Sequence, residues 1–115
     1  MTSMTELLRQ VAGFVDERDW DQFHTPKDVA ISLAIETAEL LEQFQWRTPG
    51  EIAALLRDDD RYRHAVRDEL ADIMLYLVII ARRLDVDLVE AALDKLDRNR
   101  ERYPPERYTG TAYPD

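Results

Sequence analysis

The chain has 115 residues, of which 45% are hydrophobic and 34% are charged, and its formal net charge at pH 7 is −9. This length and balance are typical of one folded domain over residues 1–115 and exclude a disordered chain. The negative charge excludes broad electrostatic binding to DNA or RNA, although a metal ion can bridge an acidic protein to a phosphorylated ligand.

The first two predicted helices are separated by a polar and aromatic link. Apolar residues at helical spacing predict a first helix over residues 5–18, with Thr5 as its cap. The link "DERDWDQFH" follows. The stretch "TPKD" then predicts the start of a second helix, because Thr25 can cap it and Pro26 suits the first helical position. This helix is expected to run to about Gln45.

The next two helices begin with the same kind of signal. "TPGE" predicts a short third helix that is capped by Thr48 and runs through Leu56. One of the three aspartates at residues 58–60 is expected to cap a long fourth helix ending near Leu84. The pattern therefore predicts four helices before residue 85.

A fifth helix and a tail complete the chain. The fifth helix is predicted from Val86 to Arg102, and the prolines in "YPPERYTGTAYPD" predict an extended tail over residues 103–115. The fourth helix is apolar nearly all round over residues 70–81, which is more apolar surface than so small a chain can cover. We therefore expect an all-α bundle of about five helices whose four-helix core is completed by oligomerisation.

The N-terminal stretch, the apolar runs and the cysteine content bear on the expected compartment and chemistry. Its first residues, "MTSMTELLRQ", lack the basic and apolar regions of a signal peptide. The longest apolar run, "IMLYLVIIA", is far too short to cross a bilayer. There is no cysteine, so neither disulfides nor thiolate chemistry are available. We expect a cytoplasmic protein that does not bind membranes.

Two pairs of acids interrupt apolar stretches of the second and fourth helices. Glu36 and Glu39 form one pair, and Glu69 and Asp72 form the other. Residues three apart share a helix face, so each pair presents two carboxylates on one edge. If the two helices pack antiparallel, the edges can meet as a cage of four carboxylates. Mg²⁺ prefers such oxygen ligands.

A structural role for these acids is the alternative. With 24 acids in the chain, pairs three apart also arise by chance, as at 16/19, 39/42, 87/90 and 94/97. Those pairs lie mostly on mixed or polar faces, where solvation explains them. Asp72 is flanked by apolar residues, so solvation alone does not explain it. On pattern alone, metal ligation and buried hydrogen bonds or ion pairs to arginine remain open.

The acid motif and its surroundings resemble a known family. "ExxE" at 36–39 followed by "ExxD" at 69–72 is similar to the signature of the MazG-like superfamily of all-α nucleoside triphosphate pyrophosphohydrolases. "WDQFHTPKDVAISLAIETAELLEQFQW" and "DELADIMLYLVIIARRLDVDLVEAALDKLDRNRERYP" resemble its dCTP pyrophosphatase branch. The resemblance covers residues 19–104. One departure is Thr37, where smaller residues such as Ala are commoner.

The resemblance implies hydrolysis of a nucleoside triphosphate, most simply dCTP or a modified pyrimidine deoxynucleotide, to the monophosphate and pyrophosphate. Glu36, Glu39, Glu69 and Asp72 would hold Mg²⁺, with Mn²⁺ as the alternative ion, which neutralises charge on the phosphates. Glu39 is the favoured residue to orient or deprotonate the attacking water.

The same resemblance implies a phosphate grip and a base pocket. Lys95 and Asn99 lie four apart on the fifth helix and would reach one phosphate group, whereas from pattern alone Lys95 is a solvated helix lysine. Lys27 would contact phosphate or only solvent. Aromatic residues at helix ends usually close a core, but a base also needs stacking surfaces and a few polar edges. The residues that match base and sugar contacts are Trp20, His24, Trp46 and Tyr76.

Two rival functions and the assembly complete the expectations. A non-catalytic acidic interaction module would present its acids on a continuous polar face, whereas these acids interrupt apolar faces. A di-iron bundle needs Glu-x-x-His on each of two helices, which His24 and His64 do not supply. The surplus apolar surface and the resemblance together predict a homotetramer, with a homodimer as the alternative.

Overall fold

The structure, a computed structural model, describes residues 3–111 of the chain. Every regular element in this range is helical, which confirms the all-α prediction. The chain divides after Leu84 into two units. The first contains α1 (Met4–Glu17), a 3-10 turn (Asp21–Phe23), α2 (Pro26–Glu42), α3 (Pro49–Asp58) and α4 (Asp60–Arg83), and the second contains α5 (Leu88–Arg102) and α6 (Pro105–Tyr108). The prediction of one domain stays a prediction.

Three helices begin at caps that the sequence indicates. Thr25 and Thr48 each accept a hydrogen bond from the backbone N–H three residues later, at 3.1 Å. Of the three aspartates at residues 58–60, Asp59 is the cap of α4, and its Oδ1 accepts from the backbone N–H of Tyr62 at 3.1 Å. These bonds satisfy N–H groups that have no partner inside the helix.

The first helix begins earlier than predicted, so Thr5 is not its cap. Ser3 has extended backbone dihedrals, and its Oγ accepts a hydrogen bond from the backbone N–H of Glu6 at 3.2 Å. Thr5 lies inside the first turn of α1. The Ser-x-x-Glu spacing of residues 3–6 is itself a recognised start signal, which the sequence analysis overlooked.

Several other boundaries also differ from the prediction. α2 ends at Glu42, before the predicted Gln45, and the carbonyl of Gln43 just after it accepts a hydrogen bond from the Arg47 guanidinium at 2.7 Å. α3 continues two residues past Leu56. α5 begins at Leu88 because Asp87 caps it, accepting from the N–H of Glu90 at 3.0 Å.

The tail is not wholly extended, as the sequence had suggested. Residues Pro105–Tyr108 form α6, with Pro104 in an extended conformation before it. Proline is compatible with the first position of a helix, because its missing N–H has no partner there in any case. The predicted tail residues 112–115 lie outside the described range.

The pairing of α2 with α4 organises the first unit. Gln43, just after α2, accepts a hydrogen bond from the hydroxyl of Tyr62 near the start of α4 at 2.7 Å. At the other end, the carbonyl of His24, just before α2, accepts from Arg83 at the end of α4 at 3.0 Å. The two helices therefore run antiparallel, which is the arrangement that the predicted cage requires.

α1 packs against the C-terminal half of α4, and one buried apolar cluster lies between them. Val11, Val15 and Val78 form the buried cluster of this contact. Asp16 at the end of α1 contacts Arg82 in the last turn of α4. After α1 the chain reverses at Asp19, whose φ of 51° lies in the left-handed region that aspartate tolerates better than most residues. The link to α2 then follows.

The second unit has an amphipathic helix at its start. α5 exposes apolar side chains at helical spacing, among them Val89, Leu93 and Leu96. The ring of Tyr103 at its end meets the ring of Tyr108 in α6 edge to face, with centroids 5.2 Å apart. None of the helices in residues 3–111 is both long and apolar enough to cross a membrane.

Candidate active site

Four carboxylates meet where α2 and α4 pack together. Glu36 of α2 and Glu69 and Asp72 of α4 each offer one carboxylate oxygen, and these three oxygens lie within 4.8 Å of one another. Glu39, one turn after Glu36, lies within hydrogen-bonding reach of both Glu36 and Glu69. The antiparallel pairing thus brings together all four acids that the sequence analysis selected. Their role as metal ligands remains a prediction.

Crowding and partial burial make two of these acids hold their protons tightly. Removal from water is the main cause that raises the pKa of Glu36 to about 7, followed by its hydrogen bond with Glu39 and the negative charges around it. The pKa of Glu69 is also raised, mainly by removal from water, then by its hydrogen bond with Glu39 and by the charges of Glu39 and Asp72, while a hydrogen bond with Glu36 acts in the opposite direction. Without a cation, the cluster therefore keeps a proton to higher pH than ordinary glutamates do.

The donor set fits a hard divalent cation. Glu36 Oε2 and Glu69 Oε2 are shielded from solvent, and within the described chain neither has a hydrogen-bond partner. The ion pairs found between described residues involve none of the four acids. Arginine pairing, the structural alternative, therefore finds no support here. Unpaired carboxylate oxygens that face one another are what Mg²⁺ or Mn²⁺ would require.

An aromatic cluster surrounds the link between α1 and α2. The ring of Trp20 meets Phe14 edge to face at 5.5 Å and His24 at 6.2 Å. His24 is half-buried, and its Nδ1 is shielded from solvent without a hydrogen-bond partner in residues 3–111. The cluster thus combines aromatic surface with a ring nitrogen of His24 that has no hydrogen-bond partner among the described residues.

Three further candidates lie on or beside α2 and α4. Tyr76 is half-buried one turn after Asp72, on the same face of α4. Trp46 lies in the turn after α2 and is 85% exposed. Lys27 is exposed in the first turn of α2. Tyr76 is therefore next to the acids, and the substrate contacts of all three stay predictions.

The two candidates for the phosphate grip belong to the second unit. Lys95 is exposed and Asn99 is half-buried, and they lie one turn apart on α5. They share a face of that helix, as the spacing predicts. Their contact with phosphate remains a prediction.

A pair of arginines that the sequence analysis did not select holds the Trp20–His24 segment. Arg82 donates to Asp21 at 2.9 Å and to Asp16 at 3.3 Å. Arg83 donates to the carbonyl of His24 at 3.0 Å. No local spacing signals these bonds, because the partners are about 60 residues apart in the chain.

Comparison with known proteins assigns the family. The family model described as the MazG-like family matches residues 31–113, a stretch that includes all four acids. The chain belongs to the MazG-like family. Trp20, His24 and Lys27 precede the matched stretch, whereas Lys95 and Asn99 fall within it.

Curated relatives of this MazG-like chain carry the name of one enzyme. It is 43% identical to dCTP pyrophosphatase 1 of Bos taurus over 110 residues, which cover 96% of this chain and 64% of that protein. It is 44% identical to dCTP pyrophosphatase 1 of Homo sapiens over 102 residues, which cover 89% of this chain and 59% of that protein. The chain thus spans about three-fifths of the length of these relatives.

A solved structure has the same MazG-like fold. A pyrophosphatase from Archaeoglobus fulgidus superposes with a TM-score of 0.81 at 38% sequence identity. The match covers 90% of this chain and 94% of that one. The helical arrangement described above is therefore shared with a protein that is named a pyrophosphatase.

Proposed function

We propose that this chain is a divalent-metal-dependent nucleotide pyrophosphohydrolase. Its substrate would be dCTP or a related, including modified, pyrimidine deoxynucleoside triphosphate, and its products the monophosphate and pyrophosphate. The observation that carries the proposal is the meeting of four carboxylates with two solvent-shielded, unpaired oxygens. The names of the relatives from Bos taurus and Homo sapiens support the substrate.

The acids are proposed to divide into binding and proton-accepting roles. Glu36, Glu39, Glu69 and Asp72 would hold Mg²⁺, and Mn²⁺ is the alternative ion. When bound, the ion supplies positive charge that offsets the charge of the triphosphate. Glu39 would orient the water that attacks the α-phosphorus or accept its proton, since it lies beside the acids that are proposed to hold the ion.

The remaining candidates are proposed to bind the two ends of the nucleotide. Trp20, His24, Trp46 and Tyr76 would form the base and sugar pocket, in which flat rings stack on the base and polar edges select it. Lys27, Lys95 and Asn99 would contact the phosphates.

Product analysis tests this function. The purified chain is incubated with a panel of nucleoside triphosphates and Mg²⁺, and pyrophosphate and orthophosphate are measured separately. Pyrophosphate release that stops with chelator is expected, with a pyrimidine deoxynucleotide preferred. Release of orthophosphate alone would contradict the mechanism. No hydrolysis of any nucleotide would favour the non-catalytic interaction module instead.

Isotope labelling tests the position of attack. In water enriched in ¹⁸O, the label is expected in the monophosphate, because Glu39 is proposed to direct water at the α-phosphorus. Label in pyrophosphate would mean attack at the β-phosphorus and would overturn this part of the proposal.

We also propose that the chain assembles as a homotetramer, with a homodimer as the alternative. Large apolar side chains on α2 and α4 are exposed in the single chain, among them Ile31, Ile35 and Leu70, each about half exposed. Such surface is usually covered by association. Light scattering at micromolar concentration is expected to give the tetramer mass, and a monomer mass would contradict the proposal.

A further inference from the structure

The segment between α1 and α2 is held at the C-terminal end of α4 by two arginines. It carries Trp20 and His24, two of the residues proposed to contact the base. These arginines, Arg82 and Arg83, lie in the last turn of α4. We call these two residues the arginine pair.

The two arginines reach the segment at Asp21 and at His24, and both lie within ion-pair distance of Asp21 Oδ1, Arg83 Nη1 at 3.8 Å. Arg82 Nη1 donates to Asp21 Oδ1 at 2.9 Å, and its Nη2 donates to Asp16 Oδ1 at 3.3 Å, so one guanidinium joins the end of α1 to the segment. Arg83 Nε donates to the backbone carbonyl of His24 at 3.0 Å. The planar guanidinium has fixed donor directions, so it restricts orientation as well as distance.

The pair lies along the same helix as the carboxylates. Asp72, Tyr76 and Arg83 are separated by four and then seven residues, which places them on one face of α4. At 1.5 Å per residue, Arg83 lies about 16 Å along the axis from Asp72. Arg83, which binds the backbone carbonyl of His24, is therefore on the face of α4 that carries Asp72.

The geometry points to Arg82 and Arg83 as positioning residues for base binding. They act through Trp20 and His24 and do not touch the substrate. This inference rests on the proposed nucleotide pyrophosphohydrolase function. A pocket that is held in its binding geometry avoids the cost of ordering it when the ligand arrives. Loss of the pair should therefore weaken nucleotide binding and reduce the discrimination between bases, while the carboxylates of α2 and α4 keep their proposed roles.

Steady-state kinetics of Arg82→Gln test this role. The KM for the preferred nucleotide is expected to rise about tenfold, and kcat to change less than about threefold. The ratio of kcat/KM between the preferred and the next-best base should fall about fivefold, since base discrimination depends on the placement of the pocket. A reduced kcat with unchanged KM and unchanged base ratio would overturn the inference.

Three further variants guard against a simple folding defect. Asp21→Asn removes a partner carboxylate and should reproduce the KM and base-ratio effects. Arg82→Lys keeps the charge but lacks the planar guanidinium whose two Nη groups donate to Asp21 and Asp16, so an intermediate effect is expected. Arg57→Gln is the matched control and should behave as wild type, because this exposed guanidinium pairs, among the described residues, with its neighbour Asp58. If Asp21→Asn behaves as wild type, the inference fails even where Arg82→Gln does not fold.

A measurement without nucleotide separates this inference from the proposed function. In a Trp46→Phe background, fluorescence reports Trp20 alone, and Arg82→Gln should increase its quenching by acrylamide. Unchanged quenching would overturn the positioning role whatever the kinetics. If wild type releases no pyrophosphate, the proposed function and the base-binding role both fail. Quenching then still shows whether the pair holds the segment.

Discussion

Glu36 and Glu69 give the metal-free protein a stability that depends on pH. The pKa of Glu36 rises from 4.5 to about 7 in the folded chain, and that of Glu69 is also raised. Between these values the native state keeps a proton that the unfolded chain releases. Stability from this source is therefore complete below pH 4.5 and is lost as pH rises to about 7.

Thermal unfolding with chelator from pH 5 to pH 8 checks this expectation. The Tm of the wild type should fall as pH rises through this range. Glu36→Gln has no proton to lose at this position, so its Tm should fall less steeply. A wild-type Tm that increases across the range, or an equal slope in the variant, would contradict the raised pKa of Glu36.

Asp72 distinguishes a metal ligand from a structural acid. Asp72→Asn keeps the shape of the side chain and removes one negative charge from a crowded cluster. We expect turnover to be lost and Mg²⁺ binding to weaken, while the metal-free protein stays as stable as wild type or becomes slightly more stable. If Asp72 were instead paired with a buried arginine, the same substitution would lower the free energy of unfolding by about 3–5 kcal/mol.

The matched control is Asp68→Asn, an exposed acid one turn earlier on α4. It should retain activity, metal binding and stability. Unfolding in chelator and Mg²⁺ titration are measured for both variants beside wild type. A large loss of apo stability in Asp72→Asn, with activity per folded molecule intact, would remove Asp72 from the metal site.

At the scale of elements, the start of α1 provides a direct comparison between two hydroxyl residues. Ser3→Ala removes the acceptor for the N–H of Glu6 and should lower the free energy of unfolding by about 1 kcal/mol. Thr5→Ala lies within the first turn and should be neutral or slightly stabilising, because alanine favours helix more than threonine does.

Urea unfolding of the two variants measures this difference. α1 packs against α4 through Val11 and Val15, so fraying at its start should register in global unfolding. Equal stability of the two variants would mean that the cap contributes little. A larger loss in Thr5→Ala would restore Thr5 as the residue that starts the helix.

Helix starts and site acids could be predicted because their signals are local. Thr25 is followed directly by Pro26, and Asp28 comes three residues after Thr25, so these side chains act within one turn of the helix. The spacing of Glu69 and Asp72 likewise determines which face they share. The choice of Asp59 among three adjacent aspartates depended on backbone geometry, which residue type does not reveal.

Long-range pairings could not be predicted in this way. Arg82 and Asp21 come together only after α1, α2 and α4 are packed, and many other arginine–aspartate pairings were equally compatible with the sequence. The hydrogen bond from Tyr62 to the carbonyl of Gln43 has the same character, since any backbone carbonyl can accept it. These contacts depend on tertiary register, which helical periodicity leaves open.

At the scale of the whole chain, apolar surface exceeds apolar core. Among the described residues, seven hydrophobic side chains are buried and fifteen large ones are exposed. In the first unit, exposed positions such as Ile31, Ile35 and Leu75 lie on α2 and α4. The sequence indicated surplus apolar surface on the fourth helix. It could not indicate which faces meet a second chain, because periodicity describes one helix at a time.

We expect the small core to make protein concentration a determinant of folding. If association covers the exposed apolar faces, the folded state is drawn forward by mass action, and dilution shifts the balance toward unfolded chains. The Tm should therefore rise steadily over a hundredfold increase in chain concentration. A Tm that stays constant over this interval would mean that each chain is stable alone. If the Tm does rise with concentration, the abundance of the chain in a cell would help to decide what fraction of it is folded.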